Sequence, residues 1–313
     1  MYIARTISCS RIVTILLACL LFSGAGRVHG ESGKAWGVYQ IYWQPDQFEE
    51  QLDEQLASLG GQCRYTLFFR DLSSRRGFPL TAVQICRERG LTPVISFELW
   101  EWSRHRQEGG LQEIEEGKHD AFFSAWARDA AAYGHPVILR FGFEMNGDWF
   151  AWGRQPERFK KAWRRVHAIF RANKAGNVAW MFSPNVLSPE QDPKEYLYPY
   201  YPGDDVVDWV GLDGYNFGDR HDKWHTWTAY EEIFEPTILA AQAWKKPLMI
   251  SEIGCADDAR KSEWMSKFLQ EISADDRIQA FIYFNYDKRR GNEPNWRIES
   301  DPGTLEVFKE WAR

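Results

Sequence analysis

Cysteine and histidine are scarce in this sequence, and their spacing excludes several classes of protein. Only five cysteines occur in 313 residues, and two of them, Cys9 and Cys19, precede the region that we expect to fold. The other three cannot all be bridged, although one disulfide between Cys63 and Cys86 stays open in an oxidising compartment. No spacing of cysteine and histidine is that of a zinc site. We therefore expect neither a disulfide framework nor a metal or other cofactor.

Acidic residues are missing from the first thirty positions, which differ from the rest of the chain. This segment carries arginines ahead of the apolar run IVTILLACLLFSGAG and ends in RVHG. That order is typical of a secretory signal peptide, and the run is short for a membrane-spanning helix. We predict a signal at 1–30 and a secreted or periplasmic domain at 31–313, without membrane attachment. A lipid-attachment site at Cys19 is the alternative, which the apolar residues beyond it disfavour.

Net positive charge is also absent, whereas aromatic residues are abundant. The chain has a net charge of −6, and loss of the three arginines in residues 1–30 would bring it to −9. Such a surface repels phosphate backbones, so nucleic acid is not an expected partner. Sixteen tryptophans raise the aromatic content to 16%. Most should pack in the core, but tryptophan faces also suit the apolar faces of sugar rings.

Short apolar runs alternate with amphipathic segments along the chain. Eight runs have the character of strands: 34–40, 64–70, 93–99, 136–144, 177–185, 208–216, 247–254 and 279–285. Apolar residues at helical spacing, with Gly or Pro near the ends, predict helices at 46–60, 120–134, 156–176, 260–275 and 304–313. Strand then helix, repeated about eight times, predicts a single-domain (β/α)₈ barrel. An open doubly wound sheet is the alternative, but its G-x-G-x-x-G turn is missing after the first run.

Two carboxylates end strands that should meet at the barrel mouth. Glu144 ends the fourth run and Glu252 the seventh, and the carboxyl ends of the strands form the active face of such barrels. A single acid there is commonly structural. Two acids across one cleft are what glycoside hydrolysis needs, because one protonates the leaving oxygen while the other attacks the anomeric carbon or activates water.

Three motifs around these acids carry a resemblance to a known family. FEMNGDWFAWG, DWVGLDGYN and ISEIG, in this order, resemble glycoside hydrolase family 26, whose members are retaining endo-β-mannanases and related β-glucanases and β-xylanases on a (β/α)₈ barrel. The resemblance extends from Trp36 to Trp296. It implies that Glu144 is the acid/base and that Glu252 is the nucleophile.

The resemblance also implies roles for residues around the two acids. Tyr215 is similar to a tyrosine that hydrogen-bonds the nucleophile, and Trp149 to an aromatic residue that shapes the sugar site beside the acid. Trp296 is similar to a tryptophan that forms the floor under the sugar at the cleavage point. Further residues that would fix these groups or bind substrate are Arg140, Asp213, Asn185 and Asn146.

Elementary electrostatics agrees with these roles. Burial beside aromatic residues and near a second carboxylate should raise the pKa of Glu144, while a tyrosine and an arginine should keep Glu252 ionised. Arg140 and Glu144 are four residues apart on one strand and should face the same way. A buried structural ion pair is an equally good interpretation of Arg140.

Phe143 departs from the family pattern. Mannanases of family 26 typically carry His immediately before the acid/base, and related enzymes carry Asn, which contacts the 2-hydroxyl of the sugar. Phenylalanine can donate no hydrogen bond. Strict strand alternation would turn Phe143 toward the helices; if it faces the site instead, recognition of the 2-hydroxyl is changed. Mannose and glucose differ at that carbon.

Other residues have two interpretations each. Glu98 ends the third run and would either contact a more distant sugar or form a loop salt bridge. Trp100 and Trp102 would line a subsite or simply pack. His221 and His225 lie in the long loop 217–228, which we interpret as an insertion on the binding face, and they lack an acid at metal-ligand spacing.

We therefore expect a monomeric, exported, retaining endo-β-glycanase that acts on a polysaccharide or oligosaccharide without a cofactor. The preferred substrate at this stage is β-1,4-mannan, followed by β-glucan, xylan or a bacterial exopolysaccharide. A polysaccharide-binding barrel without catalysis, and a transglycosylase that acts during polymer export, are the other two hypotheses.

Overall fold

The computed structural model describes residues 34–73, 77–102, 110–219 and 226–313. Within them, eight parallel strands close into a barrel in chain order, and β1 completes the ring by pairing with β8. The strands are β1 Ala35–Tyr39, β2 Tyr65–Asp71, β3 Thr92–Glu98, β4 Val137–Phe141, β5 Val178–Phe182, β6 Trp209–Asn216, β7 Leu248–Cys255 and β8 Ile278–Tyr283. The predicted (β/α)₈ fold is confirmed.

Helices follow the strands around the outside of the ring. They are α1 Pro45–Leu59, α2 Leu80–Glu88, α3 Gly110–Glu115, α4 Asp120–Tyr133, α5 Pro156–Ala172, α6 Pro193–Tyr196, α7 Tyr230–Ala241, α8 Lys261–Ala274 and α9 Pro302–Ala312. The five helices predicted from spacing are all present within a few residues of their expected bounds. The helix α7 was not predicted because Pro236 lies inside it, and proline removes a backbone donor from a helix interior.

Alternation along the strands creates two packed layers. Residues that face outward pack on the helices, as Phe141 of β4 does on Trp163 of α5, with ring centroids 5.9 Å apart. Alternate residues, such as Ile138 and Met181, form a second cluster inside the ring. The strands therefore carry apolar side chains on both faces, which accounts for their near-continuous apolar sequence.

The fourth strand ends earlier than its sequence suggested. The predicted strand 136–144 stops at Phe141, because Gly142 adopts φ 56° and the chain then turns. Glu144 itself has φ 51°, a left-handed conformation that non-glycine residues seldom adopt. The parity argument that paired Arg140 with Glu144 on one strand face is thus wrong, since Glu144 lies in the turn.

The seventh strand contains a bulge at its functional end. Against β6, Leu212 pairs with Ile250, but the next residue, Asp213, pairs with Glu252, so Ser251 is an extra residue in β7. A bulge of this kind re-aims the side chains next to it.

Two further expectations concern the N-terminal segment and the cysteines. The predicted signal at 1–30 lies outside the described residues. Among the described residues, none of the helices has the length and apolar character needed to cross a membrane. The disulfide left open between Cys63 and Cys86 is not formed, and Cys255 is a free thiol as well.

Candidate active site

A large cleft opens at the carboxyl ends of the strands and contains both predicted catalytic acids. Its volume is about 1360 Å³, larger than a typical pocket for a small ligand. Glu144 and Glu252 both line it, together with a set of aromatic residues from around the ring: Tyr39, Phe69, Trp100, Trp102, Phe143, Trp149, Phe150, Tyr215, Trp227, Phe284 and Tyr286. The cleft is therefore large, and its aromatic faces suit the apolar faces of sugar rings.

Glu252 is held by two hydrogen-bond donors, one on each oxygen. Arg140 Nη1 donates to Oε1 at 2.5 Å, and the Tyr215 hydroxyl donates to Oε2. Burial, followed by the charge of Glu252, raises the pKa of Tyr215 well above its ordinary value, so the hydroxyl keeps its proton and remains a donor. Donors to the charged form stabilise a carboxylate as the anion.

The bulge in β7 explains how the side chains of two consecutive residues, Ser251 and Glu252, both point into the barrel. Ser251 Oγ donates to Asp213 Oδ1 at 2.7 Å, while Glu252 meets Arg140 and Tyr215. In a regular strand, neighbours point to opposite faces. Because Ser251 is the extra residue, both side chains turn inward, and the carboxylate reaches the cleft above a buried polar layer.

Arg140 is the central cation of that polar layer. It is fully buried and donates to Asp213, to Ser183 Oγ at 2.9 Å and to Ser96 Oγ at 2.7 Å. Burial alone would lower the pKa of Arg140, but the charges of Asp213 and Glu252 outweigh it and raise the pKa. The two interpretations of Arg140 are combined: it forms a buried ion pair, and one partner is Glu252. Neither Arg140 nor Asp213 lines the cleft, so each acts through the groups it holds.

Glu144 has surroundings that favour its protonated form. The residue is only 8% exposed, and burial, followed by the nearby charge of Glu252, raises its pKa to about 7. Trp149 Nε1 donates to its Oε2 at 2.6 Å, and Asn185 Nδ2 donates to its Oε1 at 3.2 Å. These donors orient the carboxyl group and oppose part of the rise. Two carboxyl groups of one cleft thus differ in environment, which is the pattern expected of an acid and a nucleophile.

Asn146 and Asn185 join the loops that follow β4 and β5. Asn146 Nδ2 donates to the Asn185 carbonyl at 2.9 Å, and the Asn185 amide donates to Asn146 Oδ1 at 2.9 Å. Both line the cleft. The reciprocal pair fixes the position from which Asn185 reaches Glu144.

Phe143 faces the cleft and not the helices. Since β4 has ended at Phe141, strand alternation no longer applies, and consecutive residues Phe143 and Glu144 both line the cleft. The guanidinium of Arg140 lies 4.5 Å from the centre of the Phe143 ring. Trp152 is buried and its indole donates to the Phe143 carbonyl at 2.8 Å, so it supports this turn.

The predicted sugar floor at Trp296 needs correction. Trp296 is 1% exposed and lies behind Tyr215, with ring centroids 4.9 Å apart. A side chain at Gly254 would come within 3.0 Å of both rings, so glycine permits this close packing. Trp296 supports the tyrosine that holds Glu252, and it does not line the cleft.

The aromatic residue that β8 supplies to the cleft is Phe284. It directly follows the last strand, lines the cleft and lies edge-on to Tyr215 at 5.9 Å. Sequence reasoning included it in a strand and missed it. The rule that residues ending barrel strands build the site, applied to aromatic residues as it was to acids, would have found it.

Glu98 is a third buried carboxyl group in the cleft. It is 5% exposed and accepts a hydrogen bond from the indole of Trp102. Burial raises its pKa to about 7. Within the described part of the chain its partner is an indole and not the cation that a loop salt bridge would require. Trp100 and Trp102 both line the cleft beside it.

The long loop after β6 contributes its two ends. Phe217, Thr226, Trp227 and Thr228 line the cleft, whereas His221 and His225 lie outside the described residues. In the ranges that the structure describes, no group of three or more His, Cys, Asp or Glu residues is placed to hold a metal ion.

Comparisons with known proteins agree with this geometry. A family model described as Glycosyl hydrolase family 26 matches residues 120–276, half of the chain, and the match includes Glu144, Tyr215 and Glu252. Endoglucanase H of Acetivibrio thermocellus is 31% identical over 226 residues, which are 69% of this chain and 24% of that protein. Mannan endo-1,4-beta-mannosidase A and B of Caldalkalibacillus mannanilyticus is 28% identical over 56% of this chain and 32% of that protein.

The chain thus spans about a quarter to a third of the length of these two relatives. Among solved structures, a β-mannanase from Bacteroides ovatus superposes with a TM-score of 0.66 over 90% of this chain and 89% of that chain, at 18% identity. At that identity the likeness shows the fold alone.

Proposed function

Because the chain belongs to glycosyl hydrolase family 26, we propose that it hydrolyses a β-linked polysaccharide by a retaining double displacement at Glu144 and Glu252. The observation that carries the proposal is the contrast between the two carboxyl groups of one cleft. Glu144, with a pKa raised to about 7, is suited to hold a proton, and Glu252 is held by Arg140 and Tyr215. These are the states that the first step of a retaining reaction needs.

In the first step, Glu252 attacks the anomeric carbon as Glu144 gives its proton to the leaving glycosidic oxygen. One bond to oxygen forms and one breaks, and the sugar becomes covalently attached to Glu252. In the second step, Glu144, now ionised, removes a proton from water, and the resulting oxygen attacks the same carbon and releases Glu252. Two inversions give a product with the starting β configuration.

Each neighbour of the acids has a defined part in this cycle. As Glu252 loses charge to the sugar, the hydrogen bonds from Arg140 and Tyr215 weaken, and they regain strength when the carboxylate leaves. Trp149 donates to Glu144 and stabilises the anion that forms after proton transfer. That stabilisation arises where charge develops, which is the arrangement that lowers a barrier.

For the polysaccharide itself we propose a β-glucan. The family resemblance places residue 143 beside the 2-hydroxyl of the sugar at the cleavage point, and Phe143 lines the cleft there without a donor. Phenylalanine cannot replace the polar residue that contacts the 2-hydroxyl in mannanases. Its apolar ring is more compatible with glucose, whose 2-hydroxyl is equatorial. The 31% identity with an endoglucanase over 69% of this chain supports the same choice.

The test measures hydrolysis of a panel of soluble polymers: mixed-linkage β-glucan, a soluble β-1,4-glucan, β-1,4-mannan and β-1,4-xylan. Released reducing ends and product sizes rank the substrates and separate endo from exo cleavage. The variants Glu144→Gln and Glu252→Gln should each lower kcat by on the order of 10³-fold or more, with unchanged circular dichroism.

The matched control is Asp148→Asn, because Asp148 lies in the same loop but is exposed and pairs with Arg154. It should keep wild-type activity. Near-normal hydrolysis by either glutamine variant would contradict the catalytic assignment. Appearance of the α-anomer as the first product by NMR would contradict the retaining mechanism.

β-1,4-Mannan, the substrate preferred from the sequence, is the second candidate. The observation that favours it is the 28% identity with a mannan endo-1,4-beta-mannosidase. Fastest hydrolysis of mannan in the panel would select it over glucan. Growth of product size as well as shrinkage would indicate a transglycosylase, and binding of a polymer without new reducing ends would indicate a binding protein.

Export through a signal at residues 1–30 is part of the proposal. It rests on the arginines, apolar run and small residues at the N-terminus. The mass of the protein recovered from the medium or periplasm of its host should correspond to a chain that begins near Glu31. Recovery of the full-length chain from the cytoplasm would contradict export.

A further inference from the structure

A second groove opens beside the cleft, between α1 and the segment that follows β8. Its volume is about 540 Å³. It shares Tyr39, Ile41, Trp43 and Tyr286 with the cleft, so the two spaces meet along one rim. Five side-chain amides also line it, those of Gln40, Gln47, Gln51, Gln55 and Asn285. We call this space the amide groove.

Side-chain amides dominate the groove, and one of their oxygens lacks a partner. Gln40 Nε2 donates to Gln51 Oε1 at 2.9 Å, and Gln55 Nε2 donates to the Asn285 carbonyl at 3.4 Å. Among the described residues, none donates a hydrogen bond to Gln55 Oε1, which is buried. A buried acceptor without a donor is costly, and rotation of the Gln55 side chain toward the groove would let a ligand hydroxyl group satisfy it.

Three carboxylates, Glu54, Asp287 and Glu299, and one guanidinium, Arg297, line the groove. Asp287 forms an ion pair with Arg289 at 2.6 Å. Glu299 lies 3.6 Å from Arg297 and also accepts from Asn285 Nδ2 at 3.0 Å. The excess of carboxylates disfavours an anionic ligand, and amides that both donate and accept suit a neutral ligand rich in hydroxyl groups.

The shared rim presents an exposed indole. Trp43 is 51% exposed and lies edge-to-face with Trp102, with ring centroids 6.3 Å apart. An exposed tryptophan that lines a groove indicates a binding surface, because large aromatic side chains are usually buried. A sugar that passes from the cleft to the amide groove would lay its apolar face on this indole.

We propose that the amide groove binds one or two neutral glycosyl units of the polysaccharide that the cleft holds. The inference rests on the proposed function and extends it, because it adds a binding region outside the ring of strands. The units belong either to the distal part of the polysaccharide main chain or to a glycosyl branch on a sugar that lies in the cleft. Both present hydroxyl groups to the amides and a C–H face to Trp43.

The test uses the double variant Gln47→Leu/Gln55→Leu, which removes two amides and leaves the pair between Gln40 and Gln51. Its control is Gln112→Leu in α3, an exposed glutamine whose amide donates to Glu116. Both should fold, as checked by circular dichroism and melting temperature. The readout is kcat/KM on a β-1,4-linked disaccharide aryl glycoside, a linear octasaccharide, and a tetrasaccharide with one glycosyl branch.

We expect the double variant to keep wild-type kcat/KM on the aryl glycoside. A decrease of about fivefold or more on the linear octasaccharide identifies the distal main chain as the occupant, and the same decrease on the branched tetrasaccharide alone identifies a branch. Equal kcat/KM for variant and control on all three substrates would overturn the proposal. So would an equal decrease on all three, because that reports a general disturbance.

Failure of the groove and failure of the proposed function are distinguished by the wild-type protein. If the wild type cleaves the aryl glycoside, the proposed function stands whatever the groove variant does. If it cleaves none of the substrates, calorimetric binding of the octasaccharide and the branched tetrasaccharide still tests the groove. Weaker binding of either to the double variant than to Gln112→Leu supports the groove, and equal affinities overturn it.

Discussion

At the scale of single residues, Trp149 sets how readily Glu144 gives up its proton. Its indole donates to the carboxyl group at 2.6 Å and opposes the rise in pKa caused by burial. The variant Trp149→Phe removes this donor and should raise the pKa of Glu144 further above 7. Because the reaction needs Glu144 protonated, kcat/KM falls as pH rises through that pKa. The alkaline limb of the profile should therefore move to higher pH in Trp149→Phe.

Glu98 provides the control for that assignment. Its pKa is also raised to about 7, so wild-type kinetics alone cannot tell which carboxyl group causes the limb. In Glu98→Gln the alkaline limb should stay where it is in the wild type. Movement of the limb to lower pH in Trp149→Phe, or its disappearance in Glu98→Gln, would contradict the role given to Glu144.

Sequence reasoning predicted which residues meet in the cleft where a residue type has few alternative roles. An acid at a barrel-strand end, or a tyrosine in DGYN, has restricted roles, and Glu144, Glu252 and Tyr215 do come together. Aromatic residues are less specific because packing and sugar stacking use the same rings. Trp296 was therefore assigned to the cleft when it supports Tyr215, and Phe284 was overlooked.

At the scale of elements, one lysine ties α8 to the segment that precedes α9. Lys261, the first residue of α8, is fully buried. Its Nζ donates to the Arg297 carbonyl at 2.7 Å, to the Trp296 carbonyl at 3.3 Å and to Ser300 Oγ at 3.1 Å. The ammonium group thus fixes the segment whose Trp296 ring backs Tyr215.

The variant Lys261→Met should destabilise the protein by about 2–4 kcal/mol, because buried carbonyls lose their donor. The measurement is urea unfolding followed by fluorescence. Its matched control is Lys267→Met in the same helix, where the lysine is exposed and forms a surface ion pair with Glu263. Such an exposed pair contributes little, typically below about 0.5 kcal/mol. Equal midpoints for the two variants would contradict the structural role of Lys261.

Helices with a clear apolar stripe were predictable from the sequence, and strand ends were not. Phe48, Leu52 and Leu59 of α1 are all buried as their spacing predicts. The end of β4 depends on the positive φ of Gly142, and the bulge at Ser251 depends on pairing with β6. Apolar periodicity carries no information on either, and these two irregularities are what aim Phe143, Glu144 and Glu252.

At the scale of the whole molecule, the active site lowers stability. The folded state favours the protonated form of Glu144, whose pKa rises from 4.5 to about 7. Relative to glutamine, this group costs nothing below pH 4.5, where it is protonated in both states. Stability is lost as pH rises from about 4.5 to about 7, because over that range the group ionises in the unfolded chain but stays protonated in the folded protein. The loss amounts to on the order of 3 kcal/mol.

The variant Glu144→Gln should therefore melt near the wild-type temperature at pH 4.5 and several degrees above it at pH 8. Differential scanning calorimetry at both pH values measures the change, with Asp148→Asn as the control that shows no such difference. A wild type that melts as high as Glu144→Gln at pH 8 would contradict the raised pKa in the folded protein.

The barrel as a whole was the most predictable feature, since eight strand-helix repeats leave few topologies. The amide groove was not predictable, because Gln55 and Asn285 are 230 positions apart. Only ring closure between β1 and β8 brings α1 beside the segment after β8.

The left-handed backbone of Glu144, at φ 51°, has a consequence for how this gene can change. A strained, buried acid lowers the stability of the fold. Glycine at this position would relieve the backbone conformation, and glutamine would remove the buried ionisable group. Single substitutions that raise the stability of the protein would therefore also remove the proposed proton donor.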